Sequence, residues 1–158
     1  MRVPRIYLET SVFNFVFTDD APDKRQSTLK LFEEIKEGKY EPYTSEYTTN
    51  ELEDAQEEKR LKMLRLIKEY GIKLIGTSDE VVLLSNIYVD EGVIPQKYIT
   101  DALHIAVATI TDMDFIVSLN FKHIVKRKTM LMTEVINLRE GYKKIGIFSP
   151  MEVIENDE

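Results

Sequence analysis

Four side chains of this sequence have the chemistry of a cation site, because each is an acid or an amide placed beside an apolar stretch: Glu9, Glu51, Asp101 and Asn120. In a chain whose strands alternate with helices, groups at the ends of strands and the starts of helices can converge at one edge of the sheet. Carboxylate and amide oxygens suit a hard cation such as Mg²⁺. The residues alone therefore favour a divalent-cation pocket.

The reaction that such a pocket favours is hydrolysis of a phosphodiester. Carboxylates within a few ångströms repel one another and raise at least one pKa, and a bound cation relieves that repulsion. Mg²⁺ usually takes one or two carboxylates and keeps waters, which leaves positions for phosphate oxygens and for an attacking water. Each acid also has a simpler interpretation: Glu9 can cap the next turn, Glu51 can favour a helix dipole and Asp101 can cap a helix.

One histidine lies close to these acids in the sequence. His104 follows Asp101 by three residues, so the two share a helical face. We interpret His104 as a hydrogen-bonded core histidine and leave it outside the catalytic set.

A basic segment follows Asn120 and is a candidate contact for RNA phosphates. Its cations are Lys122, Lys126, Arg127 and Lys128. The simpler interpretation is a solvated turn before a helix. The net charge of −7 argues against binding nucleic acid over the whole surface but leaves room for a local patch.

The composition indicates an ordinary globular protein. The 158 residues are 43% apolar and 31% charged, which predicts one domain over residues 1–158. The chain has no cysteine and two histidines, which excludes disulfides and argues against Cys- or His-rich zinc sites. No apolar run reaches the roughly 18 residues of a membrane span, and the N-terminus lacks the apolar region of a signal peptide. We expect a soluble, cytoplasmic protein without membrane contacts.

Periodicity and turn signals predict alternating strands and helices. Strands are expected at 3–8, 40–44, 72–75, 115–118 and 145–148. Helices are expected at 23–38, 79–90, 95–108 and 129–140, and a short helix or turn at 11–17. A further helix is expected to begin at Ser45 and to carry Glu51. It is followed by a long amphipathic stretch that runs to Tyr70, with Leu61, Leu64 and Ile67 on one face. This alternation predicts an α/β fold with a mainly parallel central sheet covered on both faces.

Four segments in this order resemble the motifs of the PIN-domain family, and more closely the VapC-type toxins of prokaryotic toxin–antitoxin pairs. They are residues 7–14, 45–52, 101–106 and 117–124. The resemblance implies a three-layer α/β/α fold and an endoribonuclease that depends on Mg²⁺ or Mn²⁺. It also implies a homodimer and inhibition by a small antitoxin protein. By this resemblance Glu9, Glu51 and Asp101 hold the metal, Asn120 completes the catalytic set, and the supporting residues are Thr10, Ser11, Asn14 and Ser118.

Two positions depart from the family pattern. The family normally has Asp where this chain has Glu9, and usually Asp where it has Asn120. The longer side chain moves the carboxylate, and the amide adds no negative charge. A second hypothesis is therefore a PIN-fold protein with weak or lost catalysis that binds RNA or a protein. A third, a flavodoxin-like or receiver-like α/β domain, is disfavoured because the chain has no glycine-rich phosphate loop.

Overall fold

The computed structural model describes residues 2–155, and a parallel five-stranded sheet forms its centre. The strands are β1 (Arg5–Leu8), β2 (Glu41–Ser45), β3 (Lys73–Ile75), β4 (Phe115–Val117) and β5 (Gly146–Phe148). Their order is β3-β2-β1-β4-β5, and every neighbouring pair is parallel. In the central strand, Tyr7 lies opposite Tyr43 on one side and Ile116 on the other. All five predicted strands are confirmed.

Helices cover both faces of this sheet. They are α1 (Thr10–Phe15), α2 (Pro22–Lys36), α3 (Glu46–Leu52), α4 (Glu57–Glu69), α5 (Asp79–Asp90), α6 (Ile99–Ile110), α7 (Arg127–Arg139) and α8 (Pro150–Val153). A short 3₁₀ helix, Gln96–Tyr98, precedes α6. The fold is a three-layer α/β/α arrangement, as expected. The sequence analysis did not predict α8, a single turn capped by Ser149.

Alternation along β1 separates the core into two halves. Ile6 and Leu8 point into one cluster with α1, α2 and α4, whereas Tyr7 points into the other with α5 and α6. All three side chains are fully buried. A strand buried on both faces must be apolar at successive positions, which explains the continuous run Ile6-Tyr7-Leu8.

The predicted face of the long amphipathic stretch is partly wrong. The chain leaves the helix between α3 and α4, and the residues of α4 that become buried are Met63 and Leu66. Leu64 and Ile67 are partly buried against the same cluster, but Leu61 is 47% exposed. Spacing alone identified the helix, while the position of the preceding turn decided which side of it meets the sheet.

The strand order creates a crevice beside β1. The chain builds β1, β2 and β3 outward in one direction and then crosses to place β4 on the other side of β1. Ligands of open parallel sheets bind at the carboxyl ends of the strands where the order reverses in this way. Glu9 and Ser118 immediately follow the two strands that flank this point.

The helices within residues 2–155 include none that is long and apolar enough to cross a membrane.

The burial of α4 yields a stability test. We expect Met63→Ala to lower the free energy of unfolding by about 2–5 kcal/mol, because it opens a cavity in the core. Leu61→Ala, two residues earlier on the exposed side of the same helix, should change it by less than about 0.5 kcal/mol. Urea denaturation of both variants measures the difference. Equal losses would contradict the observed orientation of α4.

Candidate active site

Glu9 connects the ends of β1 and β4 through its buried carboxylate. The side chain is 4% exposed and caps the N-terminus of α1. Its Oε1 accepts hydrogen bonds from Ser11 Oγ at 2.6 Å and Ser118 Oγ at 2.5 Å, and its Oε2 accepts one from Ser11 N at 3.1 Å. A carboxylate offers about four acceptor positions. Glu9 therefore keeps capacity for a further partner while it performs the capping role that the simpler interpretation assigned to it.

A histidine holds Glu51 toward this edge. Glu51 Oε1 lies 2.6 Å from His104 Nε2 and accepts a 2.6 Å hydrogen bond from Thr10 Oγ1. The other nitrogen of His104, Nδ1, lies 2.7 Å from Tyr7 Oη, which lies 2.6 Å from Ser45 Oγ. Burial raises the pKa of Tyr7, so its phenol stays protonated. A consistent chain has Ser45 donating to Tyr7, Tyr7 to His104 Nδ1, and His104 Nε2–H to Glu51.

His104 is therefore the hydrogen-bonded core histidine that its position indicated. It is fully buried, and both ring nitrogens have partners. Partial burial by itself raises the pKa of Glu51, but the hydrogen bonds from His104 and Thr10 and the electrostatic attraction of the His104 N–H lower it below its usual value. Glu51 is thus held as a carboxylate by its neighbours.

Asp101 has a different histidine partner. It lies in the first turn of α6, and its Oδ2 is 3.1 Å from His123 Nδ1. The backbone N–H of His123 donates to Asn120 Oδ1 at 2.9 Å, so the Asn120 amide closes the turn after β4. The His123 ring also packs on Tyr98, with ring centroids 4.0 Å apart. Asp101 and Asn120 are brought together through His123.

The pKa of Asp101 is shifted upward, in the opposite direction to that of Glu51. Burial raises the pKa of Asp101, and the negative charge of Glu9 raises it further. The electrostatic attraction of the His104 and His123 rings and the hydrogen bond from the Asn120 side chain lower the pKa of Asp101 but do not cancel this rise. The repulsion between Asp101 and Glu9 is the unfavourable term that a bound cation relieves.

Three ligand atoms form a compact group in this pocket. One ligand atom each from Glu9, Glu51 and His104 lie within 4.8 Å of one another, and Asp101 is not in this group. His104 Nε2 is already bound to Glu51, whereas Glu51 Oε2 has no hydrogen bond within residues 2–155. The donors that remain are carboxylate oxygens, which fit Mg²⁺ or Mn²⁺. Of the three acids predicted as metal ligands, the structure brings Glu9 and Glu51 together, and Asp101 lies outside this compact group.

Three of the four expected supporting residues line this network. Thr10 contacts Glu51, and Ser11 and Ser118 both contact Glu9. Ser11 Oγ also accepts from Leu119 N at 2.7 Å, which fastens α1 to the loop after β4. Asn14 lies one turn after Thr10, and its side chain forms no hydrogen bond with residues 2–155.

The predicted RNA-contacting cations lie after β4 and at the start of α7. Lys122, Arg127 and Lys128 are exposed, and Lys126 is the half-buried N-cap residue of α7. They form no ion pairs within the described part of the chain. Their ammonium and guanidinium groups are therefore available to phosphates, although the structure contains none.

Sequence reasoning missed the role of His123. It follows Asn120 by three residues, the spacing at which an Asn side chain accepts from a downstream backbone N–H. That signal could have identified the turn. It could not have identified the contact with Asp101, which is 22 residues away in the sequence.

The chain matches no protein-family model and no curated protein. Its function is therefore proposed from the fold and from the side chains of this site.

Removing the charge of Asp101 should stabilise the metal-free protein in a pH-dependent way. A pKa that is higher in the folded than in the unfolded chain means that stability is lost as pH rises through the folded value. We therefore expect Asp101→Asn to raise the melting temperature at pH 7 in EDTA, with a gain that shrinks toward zero near the unfolded pKa of about 4. Asp20→Asn, in an exposed loop, is the matched control. A gain independent of pH would contradict the charge repulsion.

The buried chain through His104 should behave as one unit. Tyr7→Phe removes only the phenol oxygen, and His104→Leu removes both ring nitrogens. Because the two residues share a hydrogen bond, we expect their losses in unfolding free energy to be non-additive by about 0.5–3 kcal/mol. A double-mutant cycle in urea measures this coupling, and additive losses would contradict it.

Proposed function

We propose that this protein is a divalent-metal-dependent endoribonuclease of the PIN type that hydrolyses RNA phosphodiester bonds. The observation that carries the proposal is the meeting of Glu9 and Glu51, with Asp101 beside them, at the carboxyl edge next to the order reversal of the sheet. Buried or half-buried acids of like charge are costly unless something positive joins them. Mg²⁺ or Mn²⁺ is the cofactor that this donor set suits.

Each acid has a distinct role in this proposal. Glu51 would bind through Oε2, because Oε1 is held by His104 and Thr10. Glu9 would bind through its remaining acceptor position, held in place by Ser11 and Ser118. Asp101 would complete the set. The cation, when bound, supplies positive charge that polarises the scissile phosphate and promotes attack by water.

The substrate would be held by residues that follow β4. Lys122, Lys126, Arg127 and Lys128 would contact RNA phosphates on either side of the scissile bond. Asn120 would keep the turn that carries Lys122 beside Asp101, through its hydrogen bond to His123 N–H. Together these groups favour a negatively charged polymer over a small neutral substrate.

The resemblance to VapC-type toxins supports a finer proposal about biology. The protein would be the toxin of a VapBC-type pair in the cytoplasm, forming a homodimer and inhibited by a small antitoxin encoded next to it. A short open reading frame directly adjacent in the genome is the observation that would support this role.

The test is cleavage of a mixed structured RNA pool by the purified protein with Mg²⁺, with Mn²⁺ and with EDTA. We expect metal-dependent cleavage that Asp101→Ala abolishes and the exposed-loop variant Asp20→Ala retains. Mn²⁺ binding, followed by electron paramagnetic resonance, should weaken about 10- to 100-fold in His104→Leu, because that variant releases Glu51. Retained cleavage by folded Asp101→Ala would overturn the assignment.

Specific contacts favour a second candidate, a PIN-fold binding module with weak or lost catalysis. Three hydrogen bonds to Glu9 and one to Asn120 occupy groups that a metal site would use. Under this alternative, replacing both residues by Asp should create cleavage that the native chain lacks. Strong cleavage by the native chain would contradict this alternative.

A further inference from the structure

An aromatic side chain at the rim of the site is in contact with the histidine that holds Asp101. Tyr98 lies in the 3₁₀ helix before α6 and is partly exposed. Its ring packs on His123 at a centroid distance of 4.0 Å and an interplanar angle of 33°. His123 in turn contacts Asp101 at 3.1 Å. Tyr98 is therefore one side chain removed from a candidate catalytic carboxylate.

Two exposed lysines flank this ring. The ammonium groups of Lys97 and Lys122 lie 5.7 and 5.8 Å from the Tyr98 ring centroid. Neither forms an ion pair with any carboxylate of residues 2–155. Two cations without ion pairs within residues 2–155 therefore lie beside one aromatic ring.

A second aromatic and lysine cluster lies directly after Asn120. Phe121 is 39% exposed, and Lys24 Nζ lies 5.2 Å from its ring centroid and 5.9 Å from that of Phe15. Phe15 packs against the core on one face of the sheet, whereas Tyr98 packs against the core on the other. The two clusters thus come from opposite helical layers and meet the same carboxyl edge as the acids.

We infer that Tyr98 and Phe121 are stacking platforms for unpaired nucleobases of an RNA that lies across the acids. Aromatic rings interleaved with cations bind single strands because the bases stack while the cations contact the phosphates. Bases inside an A-form duplex are already stacked and cannot reach such rings. This inference rests on the proposed function and adds to it the two side chains that would hold the bases.

The experiment measures binding of a fluorescently labelled RNA oligonucleotide by anisotropy in EDTA, unpaired and annealed to its complement. The native protein should prefer the unpaired strand. Tyr98→Ala and Phe121→Ala should each weaken that binding about 5- to 100-fold, the range typical of one lost base stack. Tyr98→Phe keeps the ring and should bind like the native protein.

Tyr142→Ala is the matched control. Tyr142 is partly buried against the same half of the core, and its hydroxyl donates to Glu80 of α5, not to any acid of the site. Tyr98→Leu replaces Tyr98→Ala if the smaller residue lowers the melting temperature. An abasic scan adds a readout that folding does not affect. In this scan each nucleotide of the RNA in turn lacks its base. At one position the missing base should weaken binding by the native protein as much as Tyr98→Ala does. The same missing base should not weaken binding by the Tyr98→Ala variant any further.

The outcomes separate this inference from the proposed function. Metal-dependent cleavage, together with unchanged binding of unpaired RNA by Tyr98→Ala and Phe121→Ala, would overturn the stacking platforms and leave the nuclease standing. Failure to bind the unpaired strand, or equal binding of strand and duplex, would also overturn them. Binding that depends on Tyr98 and Phe121, without cleavage in the presence of any metal, would support the platforms. It would also favour the second candidate function, the binding module, over the nuclease.

Discussion

A buried carboxylate must be supplied with hydrogen-bond donors, and the arrangement of this site depends on how Glu9 obtains them. An ionised acid with no partner in a protein interior is very costly. Glu9 receives the hydroxyls of Ser11 and Ser118 and the N–H of Ser11. Since Ser11 belongs to α1 and Ser118 follows β4, these bonds fasten the ends of neighbouring strands to one another. The side chain that is one methylene longer than Asp can bend back onto its own helix while remaining at the edge.

The two other acids are held by separate histidines, with opposite electrostatic results. His104 and Thr10 lower the pKa of Glu51 despite partial burial. Burial and the charge of Glu9 raise the pKa of Asp101 despite its contact with His123. Neighbouring acids whose environments shift their pKa values in opposite directions are a common arrangement at functional sites. Such an arrangement stores repulsion that a cation can relieve.

Charge is distributed unevenly around this centre. The chain is acidic overall, yet three lysines lie over the rings of Tyr98 and Phe121 at the rim: Lys24, Lys97 and Lys122. Negative groups at the centre would hold a cation, and positive groups at the rim would attract phosphates. The net charge is thus a poor guide to the local field that a polymer meets at this edge.

The sequence by itself determined the five strands, the parallel sheet, most of the helices and the four candidate polar residues, because these depend on local patterns. Apolar runs such as Ile6-Tyr7-Leu8 need only neighbouring residues to be recognised, and Ser45 caps α3 by a contact two residues away. Only the tertiary structure decided that β4 lies beside β1, that Asp101 takes His123 while Glu51 takes His104, and that Asp101 stands outside the compact ligand group. Those contacts join residues 22 to 109 positions apart. No local periodicity encodes them, because they follow from the order in which the strands pack.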